Sequence, residues 1–481
     1  MAVQFQCDLA QRGEDFPHFW EHCVGSGHAA LALRADWQAQ MQRAQGELGF
    51  RHVRFHGLLD DDMGTLIDQN DAPLYSFFNA DRIFDFLLSI GMRPFVELSF
   101  MPGMLASSGQ TIFRYRANVS PPNDFAAWEA LISRLVQHWI GRYGADEVRT
   151  WFFEVWNEPN LDAFGSGKPE DYFRLYTSTA RAIKVVDPAL KVGGPATAAN
   201  AWIEEFIAYC TANDLPADFI STHHYPTDAF GKLGDDTETQ LSKSKRSVLR
   251  DQARVAKGQA DGRPLYYTEW CTSSNPRDPL HDEPYAAAFI TKTVMEARGL
   301  MEGYSYWTFS DIFEENYFPS QAFHGGFGLM NLHGIAKPAY RAYQLLHELG
   351  TELLTVKGEH STVDAWVVRG DREVMVLLCN FALPRHEISE QVVHLQLACK
   401  TTPVSAQIQR IDAGNANAKG LWQSMGAPEY LSADQVKKLH AASEMPVATH
   451  PVFHEAGRLV CEVTLPPLGI ATLRLEFAES A

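Results

Sequence analysis

Hydrophobic and polar positions follow two textures along this chain. Up to about residue 350, short apolar runs rich in β-branched and aromatic residues alternate with longer stretches of helical period. The short runs cover residues 49–56 (GFRHVRFH), 93–100 (RPFVELSF), 148–158 (VRTWFFEVWNE), 191–195 (KVGGP), 219–225 (FISTHHY), 264–270 (PLYYTEW) and 304–309 (YSYWTF). A further strand, first in chain order, is expected near residues 19–24. Between the runs, helical patterns cover residues 35–48, 79–90, 124–143, 169–186, 201–210, 239–256 and 284–299. Asn79 and Asp81 offer N-cap chemistry and Gly91 a stop. Eight strands alternating with these helical patterns predict an α/β fold, a (β/α)8 TIM barrel with insertions. The competing fold is an open doubly wound sheet, which usually carries a glycine-rich phosphate turn. Gly25-Ser26-Gly27 does not complete that pattern.

Beyond residue 351 the texture is all-β. Residues 363–369, 373–380, 392–397, 404–411 and 459–477 read as strands, separated by turn residues such as Gly370-Asp371 and Pro466-Pro467. A long loop, 414–444, holds one helical piece at 432–442. These features predict an accessory C-terminal β-sandwich. Residues 3–8 alternate as a single strand and are a candidate to join it. The expected division is therefore 1–14 with the sandwich, 15–350 as catalytic barrel and 351–481 as β-sandwich.

Composition narrows the chemistry. A formal net charge of −18 repels phosphate backbones, so nucleic acid is not an expected partner. A neutral substrate suits this balance better than a polyanion. Seven scattered cysteines form no C-x-x-C pair, which argues against a disulfide framework and fits a reducing, cytoplasmic compartment. Neither a leader pattern nor an apolar stretch of membrane-spanning length is present, so no membrane partner is expected. The aromatic share of 12% mostly serves the core, leaving some rings as stacking platforms for sugars.

Two glutamates carry the strongest chemical signal. Glu158 lies in Trp156-Asn157-Glu158-Pro159-Asn160 and Glu269 in Tyr267-Thr268-Glu269-Trp270, ending the fourth and seventh runs. Paired carboxylates at the mouth of a barrel suit retaining glycoside hydrolysis. Pro159 steers Glu158 away from the helical region, toward the extended end of a strand. Glu154, four residues earlier, is expected deeper in the barrel with a structural role. Glu158 is expected to hold a raised pKa and act as acid/base, and Glu269 to be the ionised nucleophile. Glu158 also has a plain reading, as a cap or ion-pair carboxylate. Asn157 stands beside the acid, where it can reach a sugar hydroxyl or cap the following turn. His223 and His224 are adjacent and face opposite sides of a strand, and no H-E-x-x-H occurs, so no metal is expected. His56, His223 and Tyr225 fall at strand ends, while Trp307 and the pair Glu314-Glu315 follow the last strand. All are candidate substrate-binding residues, with rim or core packing as the alternative.

These segments resemble glycoside hydrolase family 39, in its β-xylosidase branch. The resemblance rests on Phe55-His56-Gly57, Glu97 to Pro102 with Leu105-Ala106-Ser107, Trp156 to Asn160, His223-His224-Tyr225, Thr268-Glu269-Trp270 and His281-Asp282. It extends through Tyr306 to Asp311, Glu314-Glu315, Trp422 to Pro428 and Leu431 to Ser443. It implies a barrel with accessory sandwich, retaining hydrolysis, Glu158 as acid/base and Glu269 as nucleophile. It further implies that His56, Asn157, His223, Tyr225, Trp307, Glu314 and Glu315 line the pocket for terminal xylose, with Phe113 as an apolar wall. No cofactor is implied. The expected partner is a short xylo-oligosaccharide, and a homo-oligomer is compatible. The rivals are an α-L-iduronidase, an α-L-arabinofuranosidase, or a sugar-binding protein without turnover. One departure stands out: after Glu269 the chain reads Cys271-Thr272-Ser273-Ser274-Asn275, polar where the family often has an aromatic residue. The leaving-group side of the cleft is expected to differ accordingly.

Overall fold

Eight parallel strands close into a barrel in the computed structural model, which describes residues 3–70, 72–228, 232 and 234–478. They are β1 (Val24–His28), β2 (His52–His56), β3 (Arg93–Leu98), β4 (Phe152–Val155), β5 (Lys191–Thr197), β6 (Phe219–His224), β7 (Leu265–Trp270) and β8 (Gly303–Tyr306). Neighbours in the barrel follow chain order, and β8 closes on β1 where Tyr306 pairs with Val24. Each strand is almost wholly buried, which is why its sequence reads as a continuous apolar run rather than an alternation.

The first strand lies later than residues 19–24. Phe19–Glu21 forms a 3₁₀ turn whose Phe19 and Trp20 are buried, so its apolar residues serve packing rather than a strand. The strand that follows, VGSGH, lacks bulky residues because Trp307 crowds it. A Cβ on Gly25 would sit 2.5 Å from Trp307 Cε3. The expected helix 239–256 is two helices, Thr237–Ser242 and Val248–Gln259. Among the described residues no helix is long and apolar enough to cross a membrane.

The barrel interior is layered, as inward residues recur every second position. Phe95, Phe152, Phe219 and Tyr266 form an aromatic plug, with Phe95 and Phe152 stacked at 5.0 Å. Two residues further along β3, β4 and β7 lie Glu97, Glu154 and Thr268, and Glu97 pairs in register with Glu154. The plug closes the lower end, and polar chemistry begins directly above it.

A five-stranded and a seven-stranded sheet form the sandwich. Val3–Asp8 lies parallel beside Gln391–Ala398, and its Val3, Phe5 and Cys7 point into the core between the sheets. Glu14–Asp15 pairs with Glu352–Leu354 in the other sheet. The expected run 459–477 is two strands, Arg458–Leu465 and Ile470–Glu476, broken at Pro466-Pro467. Strand Glu373–Asn380 is apolar on both faces for a reason. Val374, Val376 and Leu378 fill the sandwich, while Met375, Leu377 and Cys379 join the barrel's core. The helix Pro284–Glu296 is buried nearly all round, and Phe289 meets Phe381 at 5.7 Å.

Candidate active site

The centre of the site is Arg54, an inward residue of β2 with no solvent exposure. Its guanidinium donates to Glu154 at 2.5 Å, to Glu269 at 2.8 Å and to Asn157 Oδ1 at 2.9 Å, and Glu97 lies 2.8 Å away. An inward arginine in a closed barrel needs such partners, since an unpaired buried charge is costly. Burial pushes Glu97 up to about 7 despite the guanidinium beside it. Replacing Arg54 by Met would leave buried carboxylates facing one another. Arg54→Met is expected to lose about 3–5 kcal/mol of stability, read by denaturant unfolding. A loss within experimental error would show that water or protons replace the guanidinium freely.

Glu269 closes β7, and it accepts from Arg54 and, at 3.0 Å, from Tyr225 OH. His56 Nε2 stands 3.6 Å from it. Glu158 follows β4, which ends at Val155. Contrary to the extended backbone expected before Pro159, Glu158 has a φ of +43° and Trp156 a φ of +70°. A following proline favours extended backbone, so the positive φ at Glu158 is imposed by its surroundings. The Glu158 N–H donates to Ala196 O at 2.8 Å, fixing the turn that lifts the carboxyl into the cavity. Burial pushes Glu158 up to about 7; Arg54 opposes this and Glu97 adds to it.

His223 links the two carboxylates. One oxygen of Glu158, one of Glu269 and a ring nitrogen of His223 lie within 4.8 Å of one another. Nδ1 is 2.9 Å from Glu158 Oε1 and Nε2 is 3.1 Å from Thr268 Oγ1. Thr268 donates its single hydroxyl proton to Glu154, at 2.8 Å. Its oxygen must then accept from His223 Nε2–H, which leaves Nδ1 as an acceptor. Burial holds His223 down to about 4, so the ring is neutral. The proton between Nδ1 and Glu158 therefore belongs to Glu158.

These groups open into a cavity of about 330 Å³ at the C-terminal end of the barrel, the size of a small-ligand pocket. His56, Phe113, Asn157, Tyr225, Trp307 and Glu315 line it together with Glu158 and Glu269. Asn157 turns its oxygen to Arg54, so its amide nitrogen remains for a ligand. Glu315 Oε1 is buried without a hydrogen-bond partner, and burial beside Glu269 and Glu158 raises its pKa well above the usual range. Glu314 is turned elsewhere: its carboxylate meets His28 at 2.9 Å and Arg114 at 3.3 Å. His223 stands behind the acid rather than on the cavity wall.

Asp228 was missed by sequence reasoning, as were Arg54 and Glu97. It lines the cavity, and burial pushes it up to about 7. It follows the His223-His224-Tyr225 segment by three residues, and no motif marks it. The polar stretch after Glu269 splits in two. Cys271 and Ser273 are buried around His281, while Ser274 lines the cavity and bonds Thr227 at 2.9 Å. His281-Asp282 and Ser310-Asp311 are not at the cavity. Asp282 and Asp311 each sit 2.7 Å from the buried Lys337 ammonium, tying together the loops after β7 and β8.

Residues 3–460 match the profile of glycosyl hydrolases family 39. The chain is 49% identical to a β-xylosidase of Caldicellulosiruptor saccharolyticus over 432 residues, 89% of this chain and 88% of the other. It is 38% identical to a β-xylosidase of Geobacillus stearothermophilus over 459 residues, 92% of this chain and 90% of the other. A crystal structure of a monomeric β-xylosidase from Caulobacter crescentus superposes with a TM-score of 0.89 at 34% identity, covering 99% of this chain and 100% of that one.

Proposed function

Because the chain belongs to glycosyl hydrolase family 39, we propose that it is a retaining exo-β-1,4-xylosidase releasing terminal xylose from short xylo-oligosaccharides. The close approach of the two carboxylates supports this reading most. Retaining enzymes hold their carboxyls about 5–5.5 Å apart, inverting enzymes about 6.5–9.5 Å. One oxygen of Glu158 and one of Glu269 lie within 4.8 Å of each other, on the short side of that divide.

In this mechanism Glu158 gives its proton to the leaving oxygen while Glu269 attacks the anomeric carbon. The glycosyl-enzyme is then hydrolysed by a water that Glu158, now a base, deprotonates. Arg54 and Tyr225 aim Glu269. His223 keeps the proton of Glu158 in the pocket without competing for it. The polar floor and aromatic walls suit a neutral sugar. Among the described residues lining the cavity none is Lys or Arg, and Asp228 and Glu315 add acidity, so an iduronide carboxylate finds no counter-charge. The same reading assigns residues 15–350 to the catalytic barrel and 1–14 with 351–481 to the accessory sandwich. Use inside the cell on small oligosaccharides is in keeping with cysteines that form no disulfide among the described residues.

Aryl β-xyloside, α-arabinoside and α-iduronide assayed side by side test the substrate class. Dominant xyloside release with retention of configuration is expected; dominant iduronide release, or no turnover at any pH, would overturn the proposal.

The pH profile gives a sharper check. Activity needs Glu158 protonated, so kcat/KM should fall as pH rises through about 7. Thr268→Val removes the hydroxyl that assigns the His223 tautomer. His223 Nδ1–H can then donate to the Glu158 carboxylate, and the basic limb should move to lower pH. An unmoved limb would mean that Thr268 does not govern this proton.

A further inference from the structure

Beside the catalytic cavity, three loops bring together a second polar cluster that the hydrolytic mechanism does not use. His28 ends β1 and has no side-chain exposure; Asp60 and Asp62 lie in the loop after β2. His28 Nε2 is 3.3 Å from Asp60 Oδ2 and 3.2 Å from Asp62 Oδ1. Neither oxygen lies along an N–H direction, so Nε2 and Asp60 Oδ2 are both buried without a hydrogen-bond partner. On the other side of the ring, Nδ1 meets Glu314 Oε1 at 2.9 Å.

From this arrangement we propose that His28 Nε2, Asp60 Oδ2 and Asp62 Oδ1 form a binding site for a zinc-class divalent cation. Ligand atoms held tetrahedrally at about 2.0–2.1 Å from zinc lie about 3.3 Å apart, so two edges of the triad already have that length. A metal-bound histidine ordinarily donates its other ring N–H to a carboxylate, and Glu314 occupies that position. The imidazole is held in plane by Tyr115, stacked on it at 3.8 Å with 4° between rings. Asp60 is fixed through its other oxygen, which accepts from the Phe100 N–H at 3.1 Å. Gly57 keeps the space open: a Cβ there would lie 2.3 Å from Asp60 Oδ2 and 2.9 Å from His28 Cδ2. Asp62 is half exposed and provides the way in.

Charge supports the same occupant. Around the neutral imidazole that a bound metal requires, three carboxylates and Arg114, 3.3 Å from Glu314, leave a charge of −2; without a metal the same carboxylates hold His28 up at about 11. A divalent cation brings the sum to zero. A proton on Nε2 leaves it one short. Among the described residues two other groups of His and acidic residues cluster as tightly, His18 with Glu21 and His347, and His223 with Glu158 and Glu269. In the first, Glu21 Oε1 is 2.7 Å from both rings and already hydrogen-bonded; the second is the catalytic pair itself. The His28 cluster differs in having its nitrogen and one oxygen unpartnered.

Such a cation would join the loops after β1 and β2 and, through Glu314, hold the loop that carries Glu315 to the cavity. The test uses tag-free, chelator-treated full-length protein titrated with Co²⁺ and with Zn²⁺. One equivalent of Co²⁺ should bind with the visible absorption of a tetrahedral centre, and Zn²⁺ should displace it and raise Tm. Asp62→Ala should weaken Zn²⁺ binding by about 100-fold or more, beyond what loss of an outer partner costs. Asp61→Ala, a neighbour that faces the Gly103 N–H instead, should bind as wild type. Asp60→Asn should also lose the tetrahedral Co²⁺ spectrum. Absence of saturable binding, or binding unchanged in Asp62→Ala, would overturn the site and leave a protonated His28 as the centre of the cluster.

Discussion

Glu269→Gly is expected to lower kcat on an aryl β-xyloside by about 10⁴–10⁶-fold, since the covalent step loses its nucleophile. The fold should survive, because Arg54 keeps Glu97 and Glu154. The deleted side chain leaves a gap on the side of the sugar opposite Glu158. Azide entering it can attack the anomeric carbon while Glu158 still protonates the leaving group. One displacement replaces two, so the product should be the α-xylosyl azide. Turnover close to wild type in this variant would remove Glu269 from the chemistry. An azide product of β configuration would place the attack on the wrong face.

Glu158→Ala should separate substrates by their leaving groups. Xylobiose departs as an alcohol that needs a proton, and kcat/KM should fall by about 10²–10⁴-fold. An aryl xyloside with an acidic phenol leaves unaided, so its kcat/KM should change little. Its kcat should still drop, because the glycosyl-enzyme then waits for a water with no base beside it. A burst of phenol followed by slow turnover is the expected trace. Equal loss of kcat/KM on both substrates would contradict proton donation by this residue.

The parts of the fold that were legible in sequence are those where burial is two-sided. β3, β6 and β7 fall inside short runs of apolar and aromatic residues, because a strand covered on both faces has no polar side to show. β1 was misplaced for the opposite reason. Its small residues make room for Trp307, and the neighbouring Phe19 and Trp20 imitate a strand. Glu158 and Glu269 were visible because each ends such a run. Arg54 was not, since an arginine between Val53 and Phe55 reads as an outward residue until the barrel closes around it. Glu97 had no reading of its own for the same reason. His28 and Asp60 become neighbours only through loops whose course no periodicity records. The turn at Glu158 departs from the extended backbone that a following proline favours, because a hydrogen bond to Ala196 O, remote in sequence, holds it.

The seating of Val3–Asp8 has a consequence for how the molecule is made. Its partner strands are Val356–Lys357 and Gln391–Ala398, and Gln6 and Gln396 touch across 390 positions of chain. During synthesis this strand finds no partner until the barrel segment has left the ribosome. The barrel can form meanwhile; the two-sheet unit cannot. Contacts of such long range are slow to close, so this seam should lock late. A stalled or shortened product would then display a ready-made adhesive strand to its neighbours.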